Sequence, residues 1–143
     1  MENRGQYSMV NSEMLVRESH LYRKLEKLIS FKKIAYRLKK LTDEGYGKER
    51  IFKMMLLQYM EDLSDREMER YMQENVAAKY FCGFSLTDKT PDYTSFSKMR
   101  ARIGASQLSK IFIIVRKQLI KQGYIGEVFT FVDASHLISK ANL

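Results

Sequence analysis

Apolar residues recur along most of this chain at helical spacing. Leu21, Leu25 and Leu28 predict a helix over about 19–29, and Ile34, Ala35, Leu38 and Leu41 predict another over about 31–41. Residues 1–12 carry no such period, and the first 18 residues read as a flexible tail. Thr42-Asp43-Glu44-Gly45-Tyr46-Gly47 is a turn signal. Phe52, Met55, Leu56 and Tyr59 then stand at i, i+3, i+4 and i+7, which marks a helix over about 48–60. Ile51, Met54 and Leu57 widen its apolar face, so it is expected to be central and buried on most sides.

The next helix has the clearest start. Ser64 and Glu67 have the spacing of a capping box, with Leu63 and Met68 placed as a hydrophobic staple. This helix is expected to run to about Asn75, with Met68, Tyr71 and Met72 inward. Val76 to Phe81 predicts one more short helical turn, which Gly83 ends. The stretch 87–92 reads as a loop, extended before Pro91. Asp92 or Thr94 caps a helix over about 94–103, with Phe96, Met99 and Ile103 as its stripe and Gly104 as its stop. Ser106 opens the longest helix, to about Gln122, with Leu108, Ile111, Phe112, Val115 and Leu119 inside.

The texture changes after Gly123. Val128-Phe129-Thr130-Phe131-Val132 is β-branched and aromatic, bounded by Gly126, and reads as a central strand. A lone strand leaves its edges unpaired, and few residues follow to pair with it. Unpaired edges lead to an expectation of self-association. The fold class read from pattern is therefore mainly α, with a β element beginning near the end.

Composition narrows the function. Hydrophobic residues at 45% and charged residues at 29% match a folded protein. The 143 residues suit one ordinary core. One cysteine, Cys82, excludes an internal disulfide framework, and two distant histidines, His20 and His136, exclude a zinc finger. The longest apolar run, residues 111–115, is far short of a membrane span, and no apolar segment of a secretory signal follows the N-terminus, so a cytoplasmic location is expected. The net charge of +8 is unevenly spread. Residues 1–60 hold 13 basic and 7 acidic side chains, residues 61–88 hold 3 and 7, and residues 89–143 hold 9 and 3. Two basic blocks around an acidic one suggest a polyanionic partner.

Few constellations carry chemistry. Lys33, Arg37 and Lys40 share a face at i, i+4 and i+7, flanked by Lys32 and Lys39. Such a face neutralises several phosphates at once, though a solvated lysine-rich surface shows the same spacing. In the helix at 94–103, Ser95, Lys98 and Arg102 face away from the apolar stripe, with Arg100 at the margin. A short capped helix with a basic outer face can enter a major groove, or be a plain exposed face. Asp133 ends the apolar strand, where a carboxylate can hold a divalent cation or simply begin a turn. Ser135 and His136 are adjacent and point to opposite faces of a strand, so they do not form a nucleophile–base pair without a sharp turn.

Three stretches, in order, resemble the N-terminal portion of insertion-sequence transposases of the insertion-sequence-five type, which have a DDE catalytic core. Residues 63–69, Leu-Ser-Asp-Arg-Glu-Met-Glu, are similar to that family's LSDRELE segment. Phe81-Cys82-Gly83-Phe84, followed by Pro91-Asp92-Tyr93-Thr94-Ser95-Phe96-Ser97-Lys98-Met99-Arg100, resembles its FCGL and PDHSTFSRFR signature. Phe131-Val132-Asp133-Ala134-Ser135-His136 resembles the segment around its first catalytic aspartate. Tyr93, Met99 and Ala134 depart from the usual residues.

The resemblance implies a helical DNA-binding domain over 19–123, followed over 124–143 by the first strand or strands of a truncated RNase H-like α/β core. It implies that Asp133 is a catalytic, metal-binding residue, with Mg²⁺ as the ion of the complete core. The two basic faces supply the expected DNA contacts, Lys32, Lys33, Arg37, Lys39, Lys40, Ser95, Lys98, Arg100 and Arg102, and the resemblance implies double-stranded DNA of transposon ends as partner. The sequence stops about ten residues after Asp133, so the chain is expected to bind DNA without cutting it. A second copy of the chain or a second reading-frame product is a further expected partner. The alternative is a stand-alone helical DNA-binding module that regulates transposition.

Overall fold

The computed structural model describes residues 9–41 and 44–123. Eight helices follow one another over these residues, with no strand among them. They are α1 (Ser12–Leu15), α2 (Leu21–Leu28), α3 (Phe31–Arg37), α4 (Lys48–Met60), α5 (Asp65–Glu74), α6 (Val76–Cys82), α7 (Tyr93–Ile103) and α8 (Ala105–Lys121). The chain is mainly α, as its periodicity predicts. The strand expected at 128–132, and with it the RNase H-like segment, lies outside the described residues.

Helix α4 is the axis of the fold. Every residue from Ile51 to Met60 is buried, which requires neighbours on all sides. Helices α3, α6 and α7 pack directly on it. The Phe52 ring lies 6.2 Å from that of Phe31 on α3 and 5.7 Å from that of Phe112 on α8. Tyr59 meets the same Phe112 ring edge-on at 5.3 Å. Phe81 of α6 closes the other side, 5.4 Å from both Tyr22 and Phe31.

Two polar residues are buried in α4, and each is satisfied, as burial demands. The Lys53 ammonium pairs with Glu26 of α2 and with Glu49 one turn earlier. Gln58 donates to the Leu63 carbonyl at 3.1 Å and to Asp65 at 2.7 Å, and accepts from Arg100 at 3.0 Å.

The caps follow from local sequence. Ser64 Oγ accepts from the Glu67 N–H at 3.1 Å, and Glu67 accepts from the Ser64 N–H at 3.0 Å, which completes the predicted capping box. Asn75 ends α5 and caps α6 by accepting from the Ala78 N–H. Gly83 ends α6 at φ +79°, a left-handed conformation glycine adopts without strain. Asp92, not Thr94, caps α7. His20 caps α2 by accepting the Tyr22 N–H on Nδ1 at 3.0 Å.

Two sequence expectations are corrected. Part of the expected tail is folded. Helix α1 packs against α6, and Val16 is buried. The Arg23 guanidinium causes this. It donates to the carbonyls of Glu13 and Val16 and to the Tyr80 hydroxyl, and stacks 4.5 Å from the centre of the Tyr80 ring. The helix expected to reach residue 41 ends at Arg37. Leu38 and Leu41 are both buried beyond the helix end. The Leu38 N–H bonds back to Ala35, and Leu41 to Leu38.

Helix α7 is locked to α5 by a two-pronged ion pair. Arg100 donates to the two Asp65 oxygens at 2.8 and 2.9 Å. Burial alone raises the Asp65 pKa, but the hydrogen bonds from Arg100 and Gln58 outweigh it and hold the carboxyl below its ordinary 3.8. Removing either partner of this pair strands a half-buried charge. Arg100→Ala and Asp65→Ala are each expected to cost about 2 kcal/mol. The double variant should cost clearly less than the sum, which denaturant unfolding of the four proteins checks.

The cap at His20 gives the fold a pH dependence. The imidazole must be neutral to accept through Nδ1. Burial, reinforced by the nearby charge of Arg17, holds its pKa below 6.5. The unfolded chain therefore takes up the proton first as pH falls. The stabilisation is present above the unfolded value and is lost as pH falls through the folded one. His20→Asn retains an accepting cap without titrating. Melting temperature is expected to drop more for the parent chain than for His20→Asn between about pH 7.5 and about pH 5.5.

Candidate nucleic-acid interface

Helix α3 divides its residues cleanly. Phe31 and Ile34 face the core, while Lys32, Lys33, Tyr36 and Arg37 face solvent. Its sequence contains no acidic residue, and neither does that of α8. Two glutamine amides of α8 tie it to the ends of α3 and α2. Gln107 donates to the carbonyl of Arg37, at the end of α3. Gln118 donates at 2.6 Å to the carbonyl of Leu28, at the end of α2. Each satisfies a carbonyl that a helix C-terminus leaves open. Together they make α8 run opposite in direction to α3.

A cleft of about 610 Å³ lies between the two helices. Lys33 and Arg37 line one wall, Lys117 and Lys121 the other, with Ile34 and Ile114 between them. No carboxylate lines it. Four cations around one concave surface make a field that attracts phosphate and repels other cations.

The other sequence-predicted contacts fall in three places. Lys39 and Lys40 are exposed but lie past the end of α3, so Lys40 does not continue the helical row of Lys33 and Arg37. Instead, Lys40 reaches the corner between α7 and α8: a Cβ at Gly104 would sit 3.9 Å from its Nζ. Lys98 and Arg102 are exposed on the outer face of α7. Ser95 and Arg100 are committed elsewhere. Ser95 Oγ donates to Asp92 at 3.3 Å within the cap, and Arg100 is held by Asp65 and Gln58. The N-terminal end of α7 is also not purely basic. The Tyr93 N–H is taken by Glu69, and Arg66 stacks on the Tyr93 ring at 4.1 Å.

Lys117 and Lys121 are the site residues that sequence reasoning missed. Their signal was present: an i, i+4 lysine pair on a helix with no acid over residues 105–121. Asp133 lies outside the described residues. Among those residues no group of three His, Cys, Asp or Glu side chains is arranged to hold a metal ion.

The family model described as Transposase domain (DUF772) matches residues 10–102. The chain belongs to this transposase-domain family. No curated protein and no solved structure matches the chain. The match runs from the residues just before α1 almost to the end of α7. In this transposase domain, the Lys33–Arg37 wall of the cleft lies within the match, and the Lys117–Lys121 wall lies beyond it. No helix among the described residues is long and apolar enough to cross a membrane.

The corner that sets α8 against α3 depends on Gly104. Its φ of +86° with ψ of 143° is a conformation nearly restricted to glycine. Gly104→Ala is expected to cost about 2 kcal/mol of stability, measured by denaturant unfolding, because strain there is independent of space.

Proposed function

We propose that this transposase domain is a DNA-binding portion of an insertion-sequence transposase of the DDE type, and that it grips the double-stranded DNA of transposon ends. Membership of the transposase family supplies the context of transposition. The observation that carries the reading is the α3–α8 cleft, with its four cations and no acid. Lys32, Lys39 and Lys40 extend the charge along α3 and past its end, and Lys98 and Arg102 add two exposed cations on α7. Such contacts neutralise phosphates and hold register on the duplex without reading sequence. Arg100 is a scaffold residue in this reading, because its donors are already taken.

Equilibrium binding to duplex DNA over a series of salt concentrations tests it. Affinity should fall steeply with salt. Alanine at Lys33, Arg37, Lys117 or Lys121 should reduce the slope of log affinity against log salt by about one unit each. Arg70→Ala, on the acid-flanked α5, should leave that slope in place. A chain lacking all four cleft cations that kept the full slope would refute the assignment.

A further inference from the structure

We propose that Tyr36 is a stacking platform for an unpaired base, so that the α3 face takes DNA where duplex passes into single strand. The inference rests on the DNA-binding reading above and adds a substrate class to it.

The ring of Tyr36 is 81% exposed, while the next most exposed aromatic among the described residues, Tyr93, is at 38%. Tyr93 is partly covered by the Arg66 guanidinium. The surroundings of Tyr36 are cationic. Lys32 and Lys33 precede it by four and three residues, which makes them its neighbours on the helix surface. Arg37 follows it directly, and Lys39 lies just past the helix end. All four are exposed, and α3 has no acid. Ile34, two residues before it, is buried, and Ala35 beside it is half-buried. Tyr36 is thus a single ring among cations, without the contiguous apolar patch that a protein partner would cover.

A ring flanked by cations matches one ligand chemistry closely: a base between two phosphates. Aromatic side chains stack on any base, and flanking cations hold the backbone on either side. In an intact duplex the base faces are already stacked, and only their edges are open in the grooves. A ring on the convex surface of a helix therefore finds a partner only where a base has left the stack. The cleft beside it holds the continuous duplex through its phosphates, which places the ring at the edge of that footprint.

The test uses the full chain with two probes: a blunt duplex, and the same duplex carrying a short oligothymidylate tail. The tailed duplex should bind about tenfold tighter. Tyr36→Ala should bring the ratio of the two affinities to about one, and Tyr36→Phe, which keeps the ring, should restore it. The chain has no tryptophan, so Tyr36→Trp supplies a single tryptophan whose emission is excited selectively over that of the tyrosines. Its emission should be quenched by the tailed duplex and not by the blunt one. Equal binding of the two probes by the parent chain overturns the stacking assignment alone, as does a tail preference that survives Tyr36→Ala. Failure of both probes to bind overturns the DNA-binding reading beneath it.

Discussion

The burial of α4 on all sides is the constraint from which the rest of the structure follows. Ten consecutive buried residues, Ile51 to Met60, leave α4 no solvent face. Each flank of the helix must be covered by a different element, and each cover must bring a large side chain to it. Phe31, Phe81 and Phe112 do so from α3, α6 and α8. Burying a side chain of this size contributes on the order of 2 kcal/mol, so these rings hold the short helices that carry them. A seven-residue helix such as α3 is marginal by itself and persists because Phe31 and Ile34 are buried.

The same rings fix the geometry of the cleft. Phe52 lies between Phe31 of α3 and Phe112 of α8, at 6.2 and 5.7 Å. The two walls of the cleft are thus spaced by one aromatic stack on their inner side. Gln107 and Gln118 fasten α8 to the ends of α3 and α2. Lys33 and Arg37 on one wall and Lys117 and Lys121 on the other repel one another, and nothing in the cleft offsets this. The stabilisation that holds them together comes from the core beneath. A scaffold that assembles like charges at its own cost is prepared for an anion, since binding one relieves the repulsion.

What was legible in the sequence was what is decided locally. The capping box at Ser64, the stop at Gly83 and the cap at Asp92 involve partners within four residues of each other; the first two are where the sequence places them, and Asp92 is one of the two caps it offers for α7. The apolar period marked α4 as central for the same reason. The misses are tertiary. Residues 12–16 show no period, yet Arg23 of α2 holds them by donating to the carbonyls of Glu13 and Val16. The row Lys33, Arg37, Lys40 is regular on a helical wheel, but α3 ends at Arg37, before Lys40. Lys117 and Lys121 lie on a helix whose sequence signal is its apolar stripe, and the wall that completes their cleft belongs to α3, distant in sequence. Asp133 falls outside the described residues, so its expected role stays where the sequence left it.

The division of the cations carries the deeper lesson. Composition counts every Lys and Arg alike, but the structure separates them by the acceptors they find. Arg23 is held by two carbonyls, Arg50 by the carbonyl of Cys82, Lys53 by Glu26 and Glu49, and Arg100 by Asp65. Each of these charges is absorbed by the fold. Their acceptors come from α1, α2, α4, α5 and α6, and the acidic block at 61–88 supplies one of them in Asp65. Helices α3 and α8 carry no acids of their own and meet each other across a cleft without one. The cleft cations Lys33, Arg37, Lys117 and Lys121 are exposed. Four of the chain's cations are therefore gathered around one cleft, while the acids lie outside both of its helices.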